Sequence, residues 1–279
     1  MKRSIALFLL TLPVLAARSN DSDRWREEER ETIHKTFHVA TGENAAKLIA
    51  DQVNGYVHVT GGGGSEIQVT VEKRIRAESK SDLADAKRDV KLDMTQEGNS
   101  VKLYEDGPFR HDDGWRHRHY SVVFECDIQV PSGASLDLHT MNGAIEVKNT
   151  TGDYKVHTMN GRVEMDDIGG TGSVETMNGG VHVAFNRNPS RESSFRTMNG
   201  SVDLYFHSDP DADFNLETMH GGVYADFDVT TLPTTVRGEI SGNRFVYRSG
   251  GNMKVRAGKG GPVLSLHTMN GAIRLHSKS

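Results

Sequence analysis

The chain has 279 residues, with 33 Lys and Arg against 38 Asp and Glu and a formal net charge of −5. It is long enough to bury a sizeable core, and its acidic balance argues against nucleic-acid binding, which needs a basic face. The single cysteine, Cys126, cannot form an internal disulfide, and its alternating sequence context predicts a packed thiol on a strand.

The first 17 residues have the pattern of an export signal. Lys2 and Arg3 precede an apolar run over residues 5–16, and small residues follow where a signal peptidase could cut. The run is shorter than the roughly 20 residues that a membrane-spanning helix needs. We therefore predict that residues 1–17 are removed on export, which lowers the formal net charge from −5 to −7. The mature protein is then expected in the periplasm or at the cell surface, without a transmembrane segment.

Two segments lead up to the repeats that dominate the chain. Residues 18–32 are almost entirely polar and predict a mobile leader. Residues 33–130 alternate in the manner of short strands and predict an N-terminal β part. One helix is predicted over residues 81–90, with Ser81 as its N-cap, and an irregular loop is predicted over residues 105–119.

Residues 131–279 repeat the sequence Thr-Met-Asn-Gly five times, with a near copy, Thr-Met-His-Gly, at residues 218–221. The intervals between successive motif threonines are 18, 18, 21, 21 and 50 residues. A period near 20 with strand patterning is typical of a solenoid, in which each repeat is one coil stacked on the last. The structural repeat positions are Thr140, Asn142, Gly143, Thr158, Asn160, Gly161, Thr176, Asn178, Gly179, Thr197, Asn199, Gly200, Thr268, Asn270 and Gly271.

The motif itself predicts a bend. Apolar residues alternate with one parity before it, as at Leu138, and with the opposite parity after it, as at Ile145. Because an unbroken strand keeps a side-chain period of two, the chain must turn at Asn-Gly, whose residues tolerate positive φ. Stacked bends would place the asparagines in one hydrogen-bonded row and the threonines in another. The fold class predicted is therefore all-β, a solenoid with coils of about 18–21 residues.

The segment that opens the repeats also follows a known pattern. A strand ends at Val130 and Pro131, and the sequence then reads Leu-x-Leu-x-Thr-x-Asn-Gly-x-Ile-x-Val from Leu136 to Val147. In this the chain resembles a bacterial putative-adhesin family of unknown function, related to the head domains of autotransporter adhesins. The resemblance covers roughly residues 33–279. It implies a right-handed parallel β-helix and an adhesive role, and it offers no catalytic residues.

Charged residues flank each bend. In the first four repeats an acidic residue on one side of the bend is matched by a basic residue on the other. Either the bend brings the two together as exposed ion pairs, or they lie on different faces and the match is accidental. The pairs are His139 with Glu146, His157 with Glu164, Glu175 with His182, and Arg196 with Asp203.

Three of these carboxylates support an alternative function. Carbohydrate-cleaving β-helices gather carboxylates on one face, and Glu146, Glu164 and Asp203 could serve in that way. Their regular spacing with mixed partners also fits a solvated ladder of charges. Because neither a nucleophile elbow nor a zinc-peptidase helix motif is present, we predict a protein that is not an enzyme and needs no cofactor.

The predicted loop before the repeats carries most of the remaining candidates. Its ligand chemistry suits a transition metal, although the spacing matches no established site; the residues are His111, Asp112, His117 and His119. Trp115 with Arg116 and Arg118 could contact a glycan or an envelope protein, or Trp115 could pack over the end of the helix. His220 replaces the motif asparagine in the fifth repeat and marks another candidate binding position.

Overall fold

The computed structural model describes residues 9–10, 24–40, 46–110, 119–233, 237–241, 244–248 and 252–277. These residues are nearly all β-structure, arranged in two large sheets with one α-helix. The all-β class predicted from the sequence is confirmed. The chain divides into two compact units, residues 1–146 and 147–279.

The first unit contains one helix and most of the antiparallel pairing. Its strands follow the orders β1-β2-β5-β8-β4 and β9-β3-β7-β6, and β10 crosses the boundary between the units. The elements are β1 (Leu9–Leu10), β2 (Glu27–His38), β3 (Lys47–Asn54), β4 (Val57–Gly62), β5 (Glu66–Ala77), α1 (Lys80–Asp89), β6 (Lys91–Glu97), β7 (Ser100–Asp106), a 3-10 turn (Pro108–Arg110), β8 (Tyr120–Pro131), β9 (Ser135–Asn142) and β10 (Ile145–Lys148).

Two predictions for this unit need correction. β2 begins at Glu27, inside the predicted mobile leader, because all twelve of its residues pair with β5 and Arg76 Nε lies 3.0 Å from Glu28 Oε2. The N-cap of α1 is Ser79 and not Ser81: the Asp82 N–H donates to Ser79 Oγ over 3.2 Å. Strand β2 forms despite its polar composition, because alternate charged side chains along a strand can face solvent.

The boundary between the units also differs from the prediction. We placed it after residue 130, before the first repeat, whereas the compact units divide after Glu146. The reason is that β9, which ends in the first motif, pairs in parallel with β3, with Asn142 opposite Asn54. The first repeat therefore belongs to the N-terminal unit.

The second unit consists of strands and turns in its described residues. We name its two sheets by their first repeat strands: the β11 sheet has the order β19-β22-β17-β23-β15-β13-β11, and the β12 sheet has the order β12-β14-β16-β24-β18. The strands are β11 (Tyr154–Asn160), β12 (Val163–Ile168), β13 (Gly172–Asn178), β14 (Val181–Phe185), β15 (Ser193–Asn199), β16 (Val202–Phe206), β17 (Ala212–His220), β18 (Val223–Ala225), β19 (Val229–Thr231), β20 (Arg237–Ser241), β21 (Arg244–Arg248), β22 (Asn252–Ala257), β23 (Val263–Asn270) and β24 (Ile273–Ser277).

Each repeat in this unit runs along one sheet, bends at the motif and continues in the other. Repeats pair in parallel, with Thr158 opposite Thr176 and Thr176 opposite Thr197. Val156 and Thr158 are buried before the bend and Val163 after it, so the inward parity changes there, as predicted. The rings of Phe185 and Phe206, whose centroids lie 5.6 Å apart, belong to the buried core.

The order of the repeats differs from their order in the sequence. The last repeat, β23 and β24, lies between the fourth (β15, β16) and the fifth (β17, β18), because Thr268 lies opposite both Thr197 and Thr218. The described strands between the fifth and last repeats pair antiparallel, unlike the repeats themselves. Strand β22 pairs antiparallel with β17 and β19, and β20 pairs antiparallel with β21.

Candidate functional site

The motif asparagines form a row of hydrogen-bonded amides. In the second unit, Asn178 Nδ2 donates to Asn160 Oδ1, Asn199 to Asn178 and Asn270 to Asn199, each over 2.8 Å. In the first unit, Asn142 donates to Asn54 over 3.0 Å. Such a row requires the same side chain in register on every strand, which explains why asparagine recurs.

The threonine and glycine of the motif are fixed by contact with the neighbouring repeat. The buried Thr176 and Thr197 donate their hydroxyl hydrogens to the carbonyl oxygens of Gly161 and Gly179, over 2.8 and 2.7 Å. The predicted threonine row is thus a set of threonine-to-glycine bonds. A Cβ on Gly179 would lie 2.1 Å from the Gly161 carbonyl oxygen. Close approach of the two backbones is the reason for glycine there.

The methionine of the motif points outward. Because threonine faces the core, the next side chain faces solvent. Met159, Met177, Met198 and Met219 are exposed by 37, 42, 41 and 68%, and Met269 is half-buried. We call Met159, Met177, Met198, Met269 and Met219, in their order across the β11 sheet, the methionine row.

A groove of about 260 Å³ follows this row on the outer face of the β11 sheet. Four members of the methionine row, from Met159 to Met269, line one side. The other side is formed by the residues that precede the motif threonines, whose side chains are basic or acidic: His157, Glu175, Arg196 and His267. An apolar and polarisable wall therefore faces a charged one.

The charged wall pairs along the sheet. His157 Nδ1 lies 3.8 Å from Glu175 Oε2 in the next strand, and His267 Nδ1 lies 3.2 Å from Glu217 Oε2. For Glu175 and Asp203 the ion-pair partners lie in neighbouring strands and not across the bend, because the residues beyond these bends lie in the β12 sheet. There, Asp203 lies 2.9 Å from Arg274. Lateral pairs of this exposed kind contribute about 1 kcal/mol or less each.

The carboxylates considered for an enzymatic function are distributed along the sheet. His182 lies opposite both Glu164 and Asp203, so two strand spacings, about 10 Å, separate these carboxylates. Glu164 lies 3.3 Å from Arg162, and Glu146 is the second residue of β10. Glycosidases place their two carboxyl groups about 5–9.5 Å apart, and the backbone spacing of Glu164 and Asp203 lies at the upper end of that range.

The predicted loop candidates fall largely beyond the part of the chain that the structure describes. His111, Asp112, Trp115, Arg116, His117 and Arg118 lie outside the described residues. His119 is described, and its Nδ1 lies 2.7 Å from Glu78 Oε2. Among the residues that can be assessed, His, Cys, Asp and Glu side chains do not gather in threes as a metal site. In the same residues, helices long and apolar enough to cross a bilayer are absent.

His220 occupies the end of the asparagine row. It lies opposite Asn270 in the strand that flanks the last repeat. Its own strand, β17, pairs on its other edge with the antiparallel β22, which carries no copy of the motif. The replacement of asparagine by histidine therefore falls where the row of motif copies stops.

Sequence reasoning overlooked two features of the motif. The methionines were not considered as site residues, although the inward threonine and the period of two already placed them outside. The bend at Gln52–Gly55 was not recognised as a copy, although Gln52 lies opposite Thr140 and Asn54 opposite Asn142. The signal available was the Asn-Gly pair between two alternating strands.

A buried polar cluster lies beside this first bend. Glu105, at 0% exposure, accepts hydrogen bonds at Oε2 from the backbone N–H groups of Val53 and Asn54, over 2.6 and 3.2 Å. Within the described residues, its Oε1 and the Oε1 of Gln52 are buried without a hydrogen-bond partner. Desolvation by burial raises the pKa of Glu105 to about 7, against the lowering effect of the two backbone donors.

Cys126 is part of the same cluster. Its thiol is buried and accepts a hydrogen bond from Gln52 Nε2 over 2.7 Å. Burial raises the pKa of this thiol to about 12. The thiolate, which is the reactive form, is therefore disfavoured at neutral pH, in agreement with the predicted packed thiol.

Comparison with known proteins gives similar structures at low sequence identity. No family model matches the sequence, and no curated protein does. A structure described as a putative cell adhesion protein from Clostridium sporogenes is 11% identical, with a TM-score of 0.42, and the match covers 90% of this chain and 100% of that one. A putative adhesin from Bacteroides fragilis is 11% identical, with a TM-score of 0.38, over 89% of this chain and 97% of that one. A putative lipid binding protein from Parabacteroides distasonis is 10% identical, with a TM-score of 0.31, over 88% of this chain and 96% of that one.

Proposed function

We propose that this is an exported, non-enzymatic, adhesin-like binding protein of the bacterial cell envelope, and that it binds its ligand along the groove of the β11 sheet. The observation that carries the proposal is the composition of the motif. The threonine, asparagine and glycine of the motif are each fixed by a contact with the neighbouring repeat. The outward methionine is not fixed in this way, and it still occurs in all six copies. The other outward position varies among His, Glu and Arg.

Recurrence at an exposed position supports binding. Methionine is flexible and polarisable, and it is favoured on surfaces that adapt to their partners. Repeat proteins commonly bind through such an extended face. A charged wall opposite the methionine row would fix the orientation of an envelope protein or glycan, since a few polar groups in an apolar groove provide specificity.

We extend the proposal to the architecture and the location. The second unit is a right-handed parallel β-helix, supported by parallel registers offset by 18 and 21 residues between successive repeats. Residues 1–17 direct the protein to the envelope and are cleaved on export. The basic start and the apolar run of this segment support the proposal. An experimental structure tests the handedness, and mass spectrometry of the N-terminus in a periplasmic fraction tests the cleavage.

The binding proposal is tested with purified protein and isolated envelope fractions in a sedimentation assay. Met198→Lys places a charge at the centre of the groove, and Tyr205→Lys places the same charge on the outer face of the β12 sheet as a control. We expect only the first variant to weaken binding, by about tenfold or more. Equal binding by both variants would show that the groove is not the site.

An enzymatic outcome would be recognised separately. The same purified protein is incubated with envelope polysaccharides, and the reducing ends are measured. Cleavage that disappears in Glu146→Gln or Glu164→Gln would replace the binding proposal with the alternative function considered from the sequence.

A further inference from the structure

The five thioethers of the methionine row lie opposite one another in register. Thr158 and Asn160 lie opposite Thr176 and Asn178, so Met159 lies opposite Met177. The same flanking registers place Met177 opposite Met198, Met198 opposite Met269, and Met269 opposite Met219. The row is thus an uninterrupted series of facing methionine pairs on one exposed surface.

The spacing of these pairs suits a soft metal ion. Neighbouring strands are about 4.8 Å apart, and metal–sulfur bonds in proteins are about 2.3 Å long. Two sulfur atoms on opposite sides of one ion are therefore about 4.6 Å apart, close to the strand spacing. Thioether ligands select Cu(I) over divalent ions that prefer oxygen or nitrogen.

The groups around the row favour one end of it. Arg196 precedes Thr197 and lies near Met198, where its charge opposes a cation. At the Met219 end, Glu217 contributes a negative charge and holds His267 Nδ1 at 3.2 Å, closer than the 3.8 Å between His157 and Glu175 at the other end. A carboxylate that bonds one ring nitrogen orients the other toward a metal. The pair of Met269 and Met219, with His267 beside it, is therefore the most favourable position.

We propose that the methionine row binds Cu(I) between facing thioethers, most tightly at the pair of Met269 and Met219. This inference rests on the proposed use of the groove for binding, and it names one ligand class for it. The site would serve an exported protein that meets copper in the cell envelope. Silver(I) has the same charge and the same soft character, and it serves as the redox-inert probe.

The experiment compares two triple variants that remove equal numbers of sulfur atoms. Met159→Leu/Met198→Leu/Met269→Leu leaves Met177 and Met219, which do not face each other. Met159→Leu/Met177→Leu/Met198→Leu leaves Met269 and Met219, which do. The full chain and both variants are titrated with silver nitrate in chloride-free buffer by calorimetry, and with Cu(I) under anaerobic conditions against bicinchoninate.

We expect saturable binding by the unmodified protein and by the variant that keeps Met269 and Met219. The variant without a facing pair is expected to bind about tenfold more weakly or worse. Equal affinity of the two variants, or no saturable binding by the unmodified protein, would overturn the proposal. Circular dichroism spectra that match that of the unmodified protein establish that both variants are folded.

Two further measurements distinguish binding by the thioethers from binding by other groups and from a groove that binds no metal. An excess of Zn²⁺ is expected to leave silver binding unchanged, and competition by Zn²⁺ would assign the metal to imidazole and carboxylate groups instead. If silver binding fails while Met198→Lys still weakens binding to envelope fractions, the groove binds a partner without copper and only the metal inference falls. If both fail, the groove has neither role.

Discussion

Glu105→Gln is expected to change the pH dependence of stability. The pKa of Glu105 is raised from 4.5 to about 7 by burial, a shift worth about 3 kcal/mol at 1.36 kcal/mol per pKa unit. Because the folded state holds the proton more tightly than the unfolded state, the stabilisation is complete below about pH 4.5. It is lost progressively as the pH rises through about 7.

The glutamine side chain keeps the contacts without the charge. Its carbonyl oxygen can accept from the N–H groups of Val53 and Asn54. We expect the variant and the unmodified protein to be similarly stable near pH 5. Near pH 8 we expect the variant to be more stable, by up to about 3 kcal/mol.

The assay is urea-induced unfolding followed by circular dichroism at half-unit pH intervals. Glu97→Gln, which removes an exposed carboxylate from strand β6, controls for the loss of one negative charge. A stability difference between Glu105→Gln and the unmodified protein that is the same at pH 5 and pH 8 would refute the reasoning. So would an equal response to pH in the Glu97→Gln control.

Three further substitutions test the contacts that hold the bends and the helix. Gly179→Ala brings a Cβ to 2.1 Å from the Gly161 carbonyl oxygen and is expected to cost about 3 kcal/mol; Gly180→Ala, with its nearest contact at 3.7 Å, should leave the melting temperature nearly unchanged. Asn178→Ala removes two amide bonds and should lower the free energy of unfolding by about 1–2 kcal/mol, and a neutral effect would show that the row adds no stability. Ser79→Ala removes the N-cap of α1 and should cost about 1 kcal/mol in urea unfolding, whereas Ser81→Ala should not.

The bend and the amide row were predictable because they depend on local chemistry. The parity change around Asn160 and Gly161 indicates a turn from the sequence alone. An asparagine that recurs at a fixed interval indicates stacking, because its amide bonds best to a copy of itself. The strand that begins at Glu27 was less predictable, since its pairing with β5 depends on residues 28 to 50 positions away.

The order of the repeats could not be predicted from the motif. The motif at Thr268 and the motif at Thr218 present nearly the same side chains to a neighbouring strand. Either repeat could therefore pair with the fourth repeat, which carries Asn199. The choice follows from the long segment between the fifth and last repeats, in which β22 covers the outer edge of β17. That pairing leaves the inner edge of β17 for the last repeat.

The placement of the last repeat also determines the surface. It carries Met269 into the position between Met198 and Met219, so that the exposed thioethers continue without a gap. Stacking in chain order would have put the segment after His220 beside Met219, and that segment contains no further copy of the motif before Thr268. The last repeat thus extends the asparagine row inside the fold and the methionine row outside it. His220 ends the asparagine row, and its neighbour Met219 ends the methionine row. The irregular copy of the motif therefore lies at the pair of methionines to which we assign the tightest metal binding.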